Sequence, residues 1–430
     1  MKTLSTASFA LLFSVNAVAM TQAEFVERLQ IVHPFFTQQN FDQQTSKLDY
    51  VATTANQDWV LTGSVDSANT SNNQVSSASI SATHNLIDSG ADVSINNVWS
   101  DGTASDKLSL SYTQPLLKGA NGVNDLLATD LSTIQIEINR LKRTQLAEQF
   151  ILKQLFKLVD LSFAQRQLAL TTQRLTLAQQ ELSLVKDKFE QSVVDRVDVL
   201  LQEDAYQRAL QKQLQAEQAL ELLVVELSTL LNVKSRAVTS GFDLYELYSS
   251  KLIKLDDYLQ RNTTEMQISA LEQDKLRRQL LSDQSNTQAQ LDLKLGLSDS
   301  TSNDWNVGLD LSYPIGGTKA KTALEQTQIK LSKAGESAKE ELIDLTVKAN
   351  VLNKKQQHLA KLLDTYQVRI NIAKARALAE KRRYELGNSS MSFVIAAQNN
   401  VHDINLSYAQ EATRYQKSVL EFKAVIGQLL

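Results

Sequence analysis

The chain has four histidines, His33, His84, His358 and His402, and no cysteine, so its imidazoles are few and it has no thiol for metal binding or nucleophilic chemistry. No two of the histidines have the spacing that would set both on one ion, which argues against zinc chemistry and against a nucleophile-base pair. The acidic pairs Asp256-Asp257 and Glu340-Glu341 fall inside helical patterns and read as solvated faces. Gly316-Gly317 lacks the spacing of a phosphate loop and reads as a break where a strand passes into a helix. The chain is therefore read as a non-enzyme with no cofactor and no metal, and its function has to be sought in the elements rather than in a reacting centre.

The N-terminus carries Lys2, an apolar stretch from Ala7 to Phe13 continued by Val15, and the small residues Ala17-Val18-Ala19, the order of a secretory signal over residues 1–19. Beyond it no window approaches the ~18 consecutive apolar residues of a spanning helix, so membrane insertion would have to use strands. The lack of cysteine removes a lipidated N-terminal Cys and a disulfide framework, leaving a soluble, unlipidated export product as the default. Only 13 Gly and 3 Pro in 430 residues point to long regular elements instead of several loop-rich domains. A net charge of −4 with interspersed signs offers no basic stripe, so nucleic acid is not expected as a partner.

The chain then repeats itself. Phe189-Glu190, Ser192, Asp198, Val199, Leu200 and Glu203 match Tyr384-Glu385, Gly387, Phe393, Val394, Ile395 and Gln398 at a constant offset of 195, and Leu230-Leu231-Asn232 falls on Val425-Ile426-Gly427 at the same offset. Tyr112-Thr113-Gln114-Pro115 answers Tyr313-Pro314, and Pro34 is set against Thr264. Each half reads as short helix, strands, Pro, very long helix, turn, shorter helix. The first repeat is assigned to 20–233, with strands at about 57–114, a long helix at about 120–188 and a shorter one at about 197–233. A connecting segment follows at 234–252. The second repeat covers 253–430, with strands at about 288–313, a long helix at about 318–386 and a shorter one at about 392–429. The first half has about 31 extra residues before its Pro, enough for one hairpin between Ala78 and Trp99 with Asp88-Ser89-Gly90 at its turn, either inside the sheet or as a loop.

Leu291, Leu293, Leu295 and Leu297, then Trp305, Val307, Leu309, Leu311 and Tyr313, alternate strictly with polar residues that include Asp292, Lys294 and Asp310. Trp59, Leu61 and Val65, then Ala91, Val93, Ile95 and Trp99, then Leu108, Leu110 and Tyr112 do so less cleanly. An ordinary half-buried sheet is the plain reading. Charges on the polar face suit a water-filled lumen, yet four to six strands are fewer than the ~8 that close a membrane barrel, so several chains would have to share one.

The long helices have heptad seams. Leu168, Leu175, Leu182 and Phe189 form one series, and Leu170, Leu177 and Leu184, displaced by two and so nearly opposite, form another. Leu345, Leu352, Leu359, Tyr366 and Ala373 supply the second run. Each run is roughly 69 residues, ~100 Å at 1.5 Å per residue. A structural coiled coil would account for the heptads alone, but not for the strands nor for the matched tips Gln191-Ser192-Val193-Val194 and Leu386-Gly387-Asn388-Ser389. Val193 and Val194, as an exposed apolar pair on such a tip, suggest a docking surface.

These segments, with "QPLLKG", "YPIGG", "KFEQSVVDRVDVLLQE" and "RRYELGNSSMSFVIAAQN", resemble the TolC-type outer-membrane efflux family over nearly the whole mature sequence. The resemblance implies an α+β fold: a duplicated helix-strand-strand-helix-helix protomer forming a trimeric outer-membrane β-barrel continued by a long periplasmic α-helical barrel. It further implies a homotrimer in contact with outer-membrane lipid, a periplasmic adaptor, and an inner-membrane pump or ABC transporter docking at the tip formed by Ser192, Val193, Val194, Gly387, Asn388 and Ser389. The implied role is the exit duct of a tripartite efflux system for small molecules, with the exit duct of a type I protein secretion system as the alternative and a trimeric adhesive stalk as a more distant one. Asp198 and Tyr384 fall on positions that the family uses to hold the tip closed. The Arg of that latch aligns with Ser389, and the family's acidic ring aligns with Phe393 and Ala396, which puts a charge gate in doubt. Asp195 and Arg196 are candidates for a substitute network, or else a solvated pair.

Overall fold

The structure, a computed structural model, describes residues 19–70, 73–101, 106–233, 238–248, 254–299 and 303–429. The expected signal at 1–19 therefore lies almost wholly outside the described residues, as do the ends of the connecting segment and Leu430. In chain order the elements are β1 (Ala19–Met20), α1 (Gln22–Val32), α2 (Pro34–Thr54), β2 (Val60–Thr70), β3 (Asn73–Leu86), β4 (Ala91–Asp101), β5 (Lys107–Pro115), α3 (Asp125–Glu190) and α4 (Arg196–Leu230). Then follow β6 (Thr239–Ser240), α5 (Leu255–Asn262), α6 (Thr264–Asn286), β7 (Gln290–Asp299), β8 (Asn303–Ser312), α7 (Thr318–Glu385) and α8 (Met391–Val425).

Local chemistry sets the helix ends. Thr21 and Glu24 form a reciprocal capping box, with the Thr21 amide donating to Glu24 Oε2 at 2.8 Å and the Glu24 amide donating to Thr21 Oγ1 at 3.3 Å. His33 is extended because the ring of Pro34 crowds the residue before it, and Pro34 opens α2, where its missing N–H costs nothing. α3 and α7 run 66 and 68 residues without a break. Both end in left-handed residues, Ser192 (φ 59°) and Gly387 (φ 74°), and α4 and α8 end near Asn232 (φ 49°) and Gly427 (φ 67°). At all four ends an amide just past the left-handed residue donates back one turn, as Val193 does to Lys188 O and Asn388 to Arg383 O, both at 2.9 Å.

The chain divides into two compact units. One comprises residues 1–37, 146–255 and 345–430; the other comprises 38–145 and 256–344. The core of the first is built on Phe25 and Leu29 of α1, Ile151, Leu155, Leu158 and Leu161 of α3, Leu227 of α4 and Tyr415, Val419 and Leu420 of α8. The part of the connecting segment at 238–248 is stitched to this core. β1 and β6 pair in parallel, Gln416 Nε2 donates to Leu244 O and Glu246 O at 3.1 and 2.6 Å, and the Tyr415 hydroxyl accepts from the Tyr248 amide at 2.9 Å.

The second unit holds one six-stranded antiparallel sheet in the order β2-β3-β4-β5-β7-β8. The extra residues of the first half are thus part of the sheet: β3 pairs with β4 from Ser76↔Asp101 to Leu86↔Ala91 around the turn at Asp88-Ser89-Gly90. That turn lies on the strand-to-helix junction ahead of α3. Gly122 is left-handed (φ 64°), and a Cβ there would overlap the Ile87 carbonyl. α2 and α6, helices of 21 and 23 residues, precede the strands of each half where the sequence suggested only one short helix. α2 starts on α3 with an aromatic contact, Phe35 stacked on Phe150 at 4.5 Å and Phe36 edge-on to it, and both helices add polar contacts to α3: Asn139 Nδ2 to Ser46 Oγ (3.0 Å) and Arg143 Nη1 to Gln43 Oε1 (2.9 Å) for α2, Gln145 Nε2 to Glu265 Oε1 (2.9 Å) and Arg278 to Asp130 (2.5 Å) for α6. Beyond that aromatic start, a helix held largely by amides and charges leaves little apolar stripe to read.

Candidate functional site

The register sorts the sheet into two faces, because neighbours across antiparallel strands point the same way. One face carries Leu61↔Ala82↔Ile95↔Leu110↔Leu297↔Trp305, and beside it Tyr112, Leu295, Val307, Leu293 and Leu309. Its large side chains are exposed: Leu309 is 65% and Trp305 74% accessible. The other face carries Thr62↔Ser81↔Asn96↔Ser109↔Ser298↔Asp304 and the adjoining Ser64, Ser79, Ser94, Ser111, Lys294 and Asp310. There, Ser64 and Ser79 share a hydrogen bond of 2.9 Å, Ser94 bonds Ser111, and Lys294 pairs with Asp310. Trp305 and Tyr313 mark the two ends of the apolar face, ~27 Å apart along a strand at ~3.4 Å per residue, close to the ~25 Å apolar band of membrane barrels. Trp59, stacked on His84 at 4.9 Å, falls at the same end as Tyr313, and Trp99 at the end of Trp305.

The two tips, which belong to the first unit, are closed by the left-handed Ser192 and Gly387. Val193 is 64% exposed, but Val194 turns inward onto a cluster of Val185, Val199, Tyr384, Met391 and Val394, so the valine pair expected on the surface is divided. Ser389 Oγ donates to Glu380 Oε2 at 3.1 Å, and the Asn388 carbonyl faces Arg383. Asp195 precedes α4 as an extended residue whose side chain makes no capping bond; Asp195 and the adjacent Arg196 are both exposed. Tyr384 is only 9% accessible, its hydroxyl has no hydrogen-bond partner, and Lys188 Nζ sits 4.5 Å above its ring. Burial and the nearby Asp198 carboxylate push the Tyr384 phenol up from its ordinary pKa. Within one chain, therefore, Asp198 acts on Tyr384 through its field and not through a hydrogen bond. Phe393 (59% exposed) and Ala396 lie three residues apart on one exposed face of α8.

A buried polar layer between α3, α4 and α8 went unread in the sequence. Arg174 Nε donates to Asn399 Oδ1 at 3.0 Å while its Nη1 stands 3.8 Å from Glu181 Oε2. Glu181 also accepts from Gln398 Nε2 and, at 3.3 Å, from Gln202 Nε2. Burial pulls Arg174 down and pushes Glu181 up, with Gln398 and Arg174 opposing the latter. His402 is lowered by burial and then by Lys212. A cavity of about 340 Å³ opens beside this layer, lined by Arg174, His402, Gln398, Lys374 and Lys381. The only signal was that Arg174 and Glu181 stand seven residues apart, each four past a leucine of the Leu170-Leu177 seam. Among the described residues there is no cluster of three or more metal-binding side chains, and no helix long and apolar enough to cross a membrane.

No protein-family model matches the chain, and no curated protein matches it. Solved structures do. CusC, whose crystal structures concern folding and transmembrane channel formation, superposes with a TM-score of 0.73 at 12% identity, over 95% of this chain and 92% of that one. The outer membrane protein VceC of Vibrio cholerae gives 0.69 at 10% identity over 94% and 96%. The open-state MtrE outer membrane channel of Neisseria gonorrhoeae gives 0.67 at 11% over 99% and 94%. This chain has the fold of those channel proteins.

Proposed function

We propose that the chain is one protomer of a homotrimeric outer-membrane exit duct, a passive conduit through which an inner-membrane pump, coupled by a periplasmic adaptor, expels small molecules. The carrying observation is the sheet: strands of 9 to 14 residues, one face apolar and banded with aromatics, the other lined with hydroxyls and a few charges. Such a sheet sits between lipid and water, and its strands are long enough to cross. The common fold with outer-membrane channels supports the same placement. The apolar face meets outer-membrane lipid, and α3, α4, α7 and α8 extend into the periplasm. The duct does no chemistry of its own and needs no cofactor.

The adaptor docks on the tips, where Val193 offers an exposed apolar contact beside Ser192, Gly387, Asn388 and Ser389. At the narrowest point three copies of Phe393, flanked by Ala396, form an apolar ring that closes by dewetting. Behind it Tyr384 is buried beside Asp198, while Asp195 and Arg196 stay exposed at the start of α4.

Ion conductance of the purified protein in a planar bilayer tests the duct. We expect trimer-dependent channels of low resting conductance that rises in Phe393→Ala. A protein that never conducts, or that fractionates away from the outer membrane, overturns the proposal. Loss of dye extrusion in a deletion strain assigns the small-molecule role; unchanged dye extrusion with loss of a secreted polypeptide assigns protein secretion instead.

A further inference from the structure

The sheet has two unpaired edges, β2 and β8. β2 runs away from the α2 end and β8 returns towards α7, so the two edges are antiparallel, and the next strand beyond β8 in the same alternation has the direction of β2. Both carry the same division of faces: Leu61 and Val65 against Thr62 and Ser64 on β2, and Val307, Leu309 and Leu311 against Asn306, Gly308 and Asp310 on β8. An exposed strand edge with an apolar face is a template for another strand, and a barrel is the arrangement that leaves no edge.

The β2–β3 hairpin is not an appendage to this sheet. Pairing from Val60↔Thr83 to Thr70↔Asn73 and from Ser76↔Asp101 to Leu86↔Ala91 carries both faces across it without a break. The Ile87–Gly90 turn is locked on the junction ahead of α3, with Gln114 Nε2 donating to Ser89 O at 2.9 Å.

We infer that β8 of one copy pairs with β2 of the next, and that three copies close a barrel of eighteen strands in which every chain contributes all six. This rests on the homotrimeric channel proposed above. At ~4.8 Å between strands and a tilt of ~40°, eighteen strands close at ~36 Å between backbones, against ~24 Å for the twelve that β4, β5, β7 and β8 alone would supply. The lumen in the membrane then has about twice the cross-section, that of a water-filled channel rather than a side-chain-filled barrel.

Since the chain has no cysteine, paired substitutions have no background. Ser64→Cys on β2 is combined in turn with Asp304→Cys, Asn306→Cys, Gly308→Cys and Asp310→Cys on β8, all on the polar face, and oxidised in outer-membrane vesicles. Covalent trimers from one of these pairs are expected. Ser94→Cys on β4, combined with the same β8 positions, should give none. Trimers from the Ser94 pairs with the Ser64 pairs silent overturn the inference and put the hairpin outside the barrel. So does silence of every Ser64 pair in a protein that runs as a trimer in mild detergent. A chain that is not trimeric instead refutes the channel reading beneath it. Replacing residues 60–86 by a short linker provides a second measurement, made in the Phe393→Ala background so that the tip constriction does not dominate: a fall in open-channel conductance supports eighteen strands, and unchanged conductance overturns them.

Discussion

His402 ties proton concentration to the packing of α3 on α8. Burial first, then Lys212 and Arg174, hold its imidazole below the ordinary value, with Asp403 and the Leu170 backbone opposing. The folded state thus prefers the neutral ring. The resulting stability is fully present above the ordinary pKa of ~6.5 and is lost as pH falls through the lowered one. Glu181, pushed up by burial, favours the folded state in the acid direction and offsets part of that loss. His402→Gln should therefore retain more of its neutral-pH melting temperature at about pH 5 than the parent does, as circular dichroism can measure. At the tips, Ser192 occupies the left-handed region that Gly387 adopts without strain. Ser192→Gly should stabilise by about 0.5–1 kcal/mol and Gly387→Ala should cost about 1 kcal/mol, both read by denaturant unfolding.

At the level of elements, the two faces of the sheet make opposite demands. Leu309→Arg should cost about 2–4 kcal/mol if it sits near mid-bilayer, whereas Asp310→Arg, on the hydroxyl face, should leave stability within about 1 kcal/mol and shift ion selectivity towards anions. Heat-modifiability on gels and reversal potentials read the two effects, and equal destabilisation would mean that the sheet does not meet lipid. β7 and β8 were legible because Leu, Trp and Val alternate with Asp, Lys and Asn without exception. The hairpin of β3 and β4 was legible from its turn and the extra length of the first half, but its place in the sheet was not, since the apolar face of β3 is Ala78, Ile80 and Ala82, too small to stand out among serines. α2 and α6 escaped for a different reason: apart from Phe35 and Phe36 against Phe150, amides and ion pairs attach them to α3, so little apolar stripe remains along them. The tips were legible through the offset of 195, on which the left-handed residues of the structure also fall, Ser192 with Gly387 and Asn232 with Gly427. The Arg174–Glu181 layer was hidden because two charges in a leucine seam look like solvated positions until a third helix covers them.

At the level of the whole molecule, a single chain is an incomplete object, with the apolar face of its sheet and two strand edges bare. The mature protein should fractionate with outer membranes and sediment as a trimer in mild detergent, and a monodisperse monomer would contradict this. Bulky charge at the tip, as in Val193→Glu, should abolish export while leaving trimer and insertion intact, because Val193 is exposed and supports no core. The serine-rich face has its own consequence for what passes. A hydroxyl can donate or accept in any direction, so a solute sliding along Ser64, Ser79, Ser94 and Ser111 trades one hydrogen bond for an equivalent one and meets no trap deep enough to hold it. In the proposed duct such a wall behaves as an extension of the solvent: friction is low and dwell times are short, while the few charges on that face, Lys294 and Asp310 among them, bias which ions pass.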